Sequence, residues 1–139
     1  MQTSFYASGF LYSPKTHQIL LMQSEQIWST IEGKCSKNEN AETAFARIIN
    51  ELLSLNLKSK DIYPIYDYFH AEKNMNNFVF YAEVKKPKEF DCPFSWIGFG
   101  ETNKLSFTPH SKQDVIVGER VINAKWRDDE ARRNSLTQT

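Results

Sequence analysis

At 139 residues, with 40% hydrophobic and 24% charged side chains, the chain is long enough for one domain with a real core and shows no second one. Seventeen Lys and Arg balance seventeen Asp and Glu, which excludes a bulk electrostatic pull towards DNA, RNA or acidic membranes and makes any anion site local. No segment approaches the ~20 apolar residues of a bilayer span, and Met1-Gln2-Thr3-Ser4-Phe5 lacks the basic start and apolar run of a signal peptide, so a cytoplasmic protein bound neither to membrane nor to specific nucleic-acid sequence is expected.

Residues 5–12 and 18–23 are apolar runs with β-branched and aromatic members, separated by the turn-forming Ser13-Pro14-Lys15-Thr16-His17, and read as a hairpin. Residues 27–31 form a short extended piece carrying Trp28, and residues 33–39 read as a polar loop without periodicity. Asn40 is then a helix N-cap, because Ala41, Ala44, Phe45, Ile48, Ile49, Leu52 and Leu53 follow at i, i+3, i+4, i+7, i+8, i+11 and i+12. Glu42 suits the positive end of that helix dipole.

Residues 61–70 and 77–84 carry strand formers on either side of Glu72-Lys73-Asn74-Met75-Asn76 and read as a second hairpin. Lys85-Lys86-Pro87-Lys88 is a solvated connector, residues 94–99 another strand, and Gly100-Glu101-Thr102-Asn103 a loop. Residues 111–124 read as a helix, and 127–139 as a frayed helical extension or loose tail, which sets a domain of 1–125 followed by a polar segment of 126–139. Cys35 and Cys92 are isolated thiols, in neither a C-x-x-C pair nor a histidine cluster, and are read as reduced. His17, His70 and His110 lack metal-ligand spacing and are read as turn or surface residues.

The specific signal is Gly33-Lys34-Cys35-Ser36-Lys37-Asn38-Glu39 followed by Arg47 and Glu51. It resembles the Nudix box, G-x5-E-x7-R-E-U-x-E-E-x-G-U with U a bulky aliphatic, on which Gly33, Glu39, Arg47, Ile49, Glu51 and Leu55 fall while Ile48, Leu52 and Ser54 do not. The order strand pair, loop, capped helix also resembles that family, over residues 5 to about 124. The resemblance implies an α/β/α sandwich with a mixed β-sheet and hydrolysis of a nucleoside diphosphate derivative, or a related phosphorylated metabolite, by metal-activated water. Magnesium, or manganese, would be the cofactor, held by the Gly33 carbonyl, Glu39 and Glu51 with Glu32 as a supplement. Arg47 would brace the loop carboxylate near the substrate, Glu101 would be the general base from outside the box, and Trp28 heads the aromatic candidates for stacking on a base, with Trp96, Tyr66, Tyr68 and Phe69 behind it.

The departures matter chemically. The family's three helical glutamates lie at i, i+3 and i+4 on one face, and here the first and third are Ile48 and Leu52, neither of which can hold a hard cation. Glu32 stands where many relatives have a second glycine; it could restore charge or restrict the loop. Arg47 and Glu51 are also i, i+4 partners, as an ordinary helical ion pair would be. Two functional readings follow: a Nudix-type hydrolase with reduced or rearranged activity, and a non-catalytic nucleotide- or metabolite-binding module on the same scaffold. A structural domain that self-associates, for instance as a homodimer, is the third.

Overall fold

The structure, a computed structural model, describes residues 4–36 and 38–137. Readings that touch Met1, Gln2, Thr3, Lys37, Gln138 and Thr139 lie outside the described residues. Strands β1 (Phe5–Ser13) and β2 (Gln18–Ser24) form the first expected hairpin. The extended piece after them is two strands, β3 (Ile27–Ser29) and β4 (Ile31–Lys34), so Gly33 sits in a strand and not in the loop. The break falls at Thr30, a buried residue whose N–H donates to the Ser111 hydroxyl at 3.1 Å instead of to a neighbouring strand.

Helix α1 (Ala41–Leu53) starts where the cap predicts: the Thr43 N–H donates to Asn40 Oδ1 at 2.8 Å, satisfying one of the first-turn donors. It stops at Ser54, which takes the left-handed conformation at φ 53° and donates its N–H to the Asn50 carbonyl. The second hairpin is β5 (Ile62–His70) and β6 (Met75–Glu83), followed by β7 (Phe94–Gly98). The loop expected around Glu101 is a short 3-10 helix, Phe99–Lys104. Helix α2 runs from Pro109 to Thr137 with no break at residue 126, so the polar segment continues the helix as an extension.

The strands make one mixed sheet in the order β3-β2-β1-β6-β5, with β4 also on β1 and β7 on β2. Strand β1 is its spine, pairing parallel with β6 along one side while β4 and β2 share the other, from Tyr6 to Gly9 and from Leu11 to Ser13 respectively. Alternation along β1 then builds two cores. Ala7 and Leu11 join Ala44, Phe45, Ile48, Ile49 and Leu53 of α1, whereas Phe10 and Tyr12 join Val115 and Ile122 of α2. Helix α2 approaches closely, since a Cβ at Gly118 would stand 2.7 Å from Phe10 Cζ. The result is the α/β/α sandwich that the resemblance implies, a helix on each face of a mixed sheet.

One irregularity decides what faces α2. The β5–β6 register slips between Pro64 and Tyr66, leaving Ile65 as the extra residue. Period-two alternation is therefore reset, and Tyr66, Tyr68 and His70 join Tyr63 on the α2 side.

Candidate functional site

The spacing of the box brings Glu39, Arg47 and Glu51 together. Arg47 Nε donates to Glu39 Oε2 at 2.7 Å and its Nη2 to Oε1 at 3.0 Å, a bidentate fork; Nη2 also reaches the Lys34 carbonyl at 3.0 Å and Nη1 reaches Glu51 Oε1 at 3.1 Å. The Ser36 N–H adds a further donor to Glu39 at 2.7 Å. The guanidinium holds the Glu39 carboxyl below its ordinary range, and Glu39 raises Arg47 in turn. This cluster pins the loop to the helix through 3 charged side chains.

It does not assemble a metal centre. Gly33 faces α1 on β4, and the space beside it belongs to Ile48: a Cβ on Gly33 would lie 2.7 Å from Ile48 Cδ1 and 2.9 Å from Cγ1. Leu52, at the other vacated glutamate position, is 49% exposed and offers no ligand atom. Both Glu39 oxygens are taken by Arg47, and Glu51 shares the same guanidinium. Among the described residues no three His, Cys, Asp or Glu side chains converge as an ion would require. The chemistry of this donor set does not fit magnesium or manganese. Cys35 is pushed up to about 11, chiefly by burial and then by Glu39, which keeps it a thiol.

The remaining expected residues lie elsewhere. Glu32 pairs with Ser8 and Gly33 with Ala7 across β1–β4, so neighbours in sequence point to opposite faces and Glu32 leaves the box side; its carboxylate accepts from Lys73 Nζ at 2.6 Å. Glu101 is exposed in the turn after β7, whose Gly98 pairs with Gln18 opposite Ser13, ~20 Å along β1 from the Ala7 partner of Gly33 at the usual strand rise. That distance removes it from the box. Trp28 is 8% exposed and packs with Phe10, Ile19, Leu21 and Phe99, a core side chain rather than a stacking platform.

A second group of polar side chains, missed as a constellation by sequence reasoning, lines a cleft of about 270 Å³ between β4, β5, β6 and the start of α2. Its floor is Asp114, 2% exposed. Tyr66 donates its hydroxyl to Asp114 Oδ1 at 2.7 Å and Tyr68 to Oδ2 at 3.4 Å; Asn77 Nδ2 donates to the Tyr68 oxygen at 3.0 Å, and the Ser8 hydroxyl donates to Asn77 Oδ1 at 3.1 Å. Every donor in this chain points towards Asp114. Burial nevertheless outweighs the hydroxyls and pushes its carboxyl up to about 6. The same burial, with the carboxylate alongside, raises Tyr66 and brings Tyr68 to about 12.

The cleft wall is aromatic. His110 stacks on Tyr68 with ring planes 9° apart, and His70 meets His110 at 3.8 Å between centroids. His70 is 5% exposed, not the surface residue expected; burial and then His110 lower its pKa, and its Nδ1 accepts from the Lys73 N–H at 3.4 Å. His110 is half-buried, and its Nδ1 is buried without a hydrogen-bond partner. At the mouth the Lys73 ammonium lies 4.0 Å above the Tyr6 ring centroid while bonded to Glu32. The only sequence signals for this cleft were the alternating Tyr66, Tyr68 and His70 and the i, i+4 pair His110 and Asp114.

No protein-family model matches the sequence, and no curated protein matches it. Solved structures do match. A mutT/nudix family protein from Listeria innocua superposes with a TM-score of 0.72 at 16% identity, over 91% of this chain and 98% of that one. The C-terminal domain of mouse MUTYH, solved in complex with human PCNA, gives 0.69 at 10% over 88% and 91%. The Nudix domain of Shewanella oneidensis NrtR, complexed with ADP ribose, gives 0.67 at 11% over 88% and 90%. Identities of this size carry a fold and not an activity. With two helices sandwiching a mixed sheet built on β1 and β6, the chain has the fold of the Nudix superfamily.

Proposed function

We propose that this protein is a non-hydrolytic binding module on the Nudix fold, which holds a nucleotide or related phosphorylated metabolite with its planar head group, and not its phosphates, in the cleft above Asp114. One observation carries the reading: the Ile48 side chain fills the space beside Gly33, while Glu39 is held by Arg47 through both oxygens and Glu51 through one. The carboxylates that remain brace a loop. The cleft supplies what a binding site needs without a metal, namely aromatic walls, a convergent set of polar atoms and a buried titratable group. That the NrtR Nudix domain was solved with ADP ribose supports a ligand of that class.

The hydrolase reading has its own support in the Gly33, Glu39, Arg47 and Glu51 spacing and in the mutT/nudix neighbour. It requires a magnesium-dependent turnover that runs through Glu51. The two are separated by incubating the protein with a panel of nucleoside diphosphate conjugates, with and without magnesium or manganese, and by calorimetric titration of ADP-ribose in parallel. Binding without release of phosphorylated products is expected. Robust metal-dependent turnover that disappears in Glu51→Gln would falsify the binding-module reading.

A further inference from the structure

The buried carboxylate at the cleft floor is short of positive charge. Asp114 is 2% exposed, yet among the described residues it forms no ion pair; its protein donors are the two neutral tyrosine hydroxyls. A buried carboxylate ordinarily has a cation beside it, because desolvation is costly and hydroxyl dipoles offset only part of it. It also accepts at about four lone-pair positions, of which the tyrosines fill one on each oxygen. One acceptor position per oxygen is left, which matches a fork of two parallel N–H donors.

The surroundings have the same sign. The charged and titratable groups lining the cleft are Glu32 from β4, Tyr68 and His70 from β5, Glu72 and Lys73 from the turn after it, and His110 with Asp114 from α2; Tyr66 meets Asp114 from β5. Lys73, the one lysine of the lining, is bonded to Glu32, which leaves Glu72 and Asp114 without a cation. His110, one helical turn before Asp114, is not among its hydrogen-bond donors and draws its carboxyl down through space less than the tyrosine hydroxyls do; its own Nδ1 has no partner. The aromatic faces of Tyr68, His70 and His110 suit a flat cation far better than a hydrated metal ion.

We propose that the cleft receives a planar organic cation bearing N–H donors, of the amidinium or protonated aminoheterocycle type, which forks onto the free lone pairs of Asp114 beside the stacked rings of Tyr68, His70 and His110. This names the ligand class of the same cleft and rests on its reading as the binding site. Such a head group supplies the missing counter-charge, and His110 Nδ1 offers it a further polar atom.

Benzamidinium and its neutral isostere benzamide are the probes, titrated into the whole protein at about pH 7.5 and followed by amide NMR shifts in β5 and α2. Benzamidinium is expected to bind more tightly by about tenfold, the scale of one charge-assisted hydrogen bond, with the preference lost in Asp114→Asn. In the unmodified protein the preference should also decline between about pH 7.5 and pH 5 as Asp114 takes up its proton, which gives an answer even if Asp114→Asn fails to fold. Equal affinity for the two probes, binding of neither, or a preference unchanged in Asp114→Asn overturns the proposal. If ADP-ribose still binds in those cases, the cleft remains a ligand site and only the cationic class fails; if nothing binds, both readings fall.

Discussion

At the scale of single residues, Asp114 and Glu39 are two carboxylates pushed in opposite directions by named neighbours. Arg47 lowers Glu39, so the stability from that contact is present above the ordinary carboxylate range and disappears as acid protonates Glu39. Burial raises Asp114 to about 6, so between its unfolded value and that value the folded state binds more protons than the unfolded one. Stability must then fall as pH rises through this window. The ionised buried form costs on the order of 2–3 kcal/mol relative to the protonated one. Urea denaturation of the free protein at about pH 5 and pH 7.5 should therefore show a loss on alkalinisation that Asp114→Asn reduces or removes. An Asp114→Asn protein with the full wild-type pH dependence would place the effect on another group.

At the scale of elements, helix α1 gives to the core one of the two positions where the box pattern has a glutamate and this chain an aliphatic residue. Ile48 is 5% exposed and extends the apolar face of Ala44, Phe45 and Ile49, while Leu52 stays half outside. Restoring acid at both places, Ile48→Glu with Leu52→Glu, should first destabilise the helix by about 2–4 kcal/mol, because a carboxylate replaces a packed aliphatic beside Gly33. Magnesium should then recover part of that loss, about 1.4 kcal/mol at ten times its dissociation constant, in a protein whose parent melts at the same temperature with and without the ion. Leu52→Glu alone keeps the packing and serves as the folded control. A folded double variant indifferent to magnesium would argue that the loop no longer has the family's geometry. The helix itself was legible in the sequence, because its cap, its apolar period and its box spacing are local. Less legible was the face of each neighbouring residue: Glu32 left the box because Gly33 belongs to a strand, and the Ile65 bulge turned Tyr66, Tyr68 and His70 towards α2. The strand's start has no local marker, Pro64 signals an edge or a bulge without saying which, and Tyr66 meets Asp114 across 48 positions of sequence. Contacts of that separation follow from the register of the whole sheet.

At the scale of the molecule, the two faces of the sheet carry different tasks. The α1 face keeps the Arg47 brace and an apolar core, and the α2 face holds the buried polar chain from Ser8 to Asp114 and the cleft above it. Helix α2 serves that face with its first half only: Ser111, Asp114, Val115 and Ile122 are buried, whereas residues 126–128 and 130–135 are exposed. The Lys125 ammonium, 5.1 Å from the Tyr63 ring centroid, ties the middle of the helix to the sheet side, and Asp129 on the next turn of the same helix pairs with it at 3.1 Å. Beyond Glu130, packing against the domain no longer pays back the cost of ordering the backbone, and isolated helical turns are marginal in water. Ending the chain after Glu130 should therefore lower the melting temperature by no more than about 2 °C, since exposed helix outside the cooperative core adds little to unfolding. Binding at the cleft should also be unchanged, as the lining closes at Asp114. A shortened protein that melts much lower or loses ligand would show that the distal helix packs on something in solution, a second copy of the chain being the first candidate to check by light scattering.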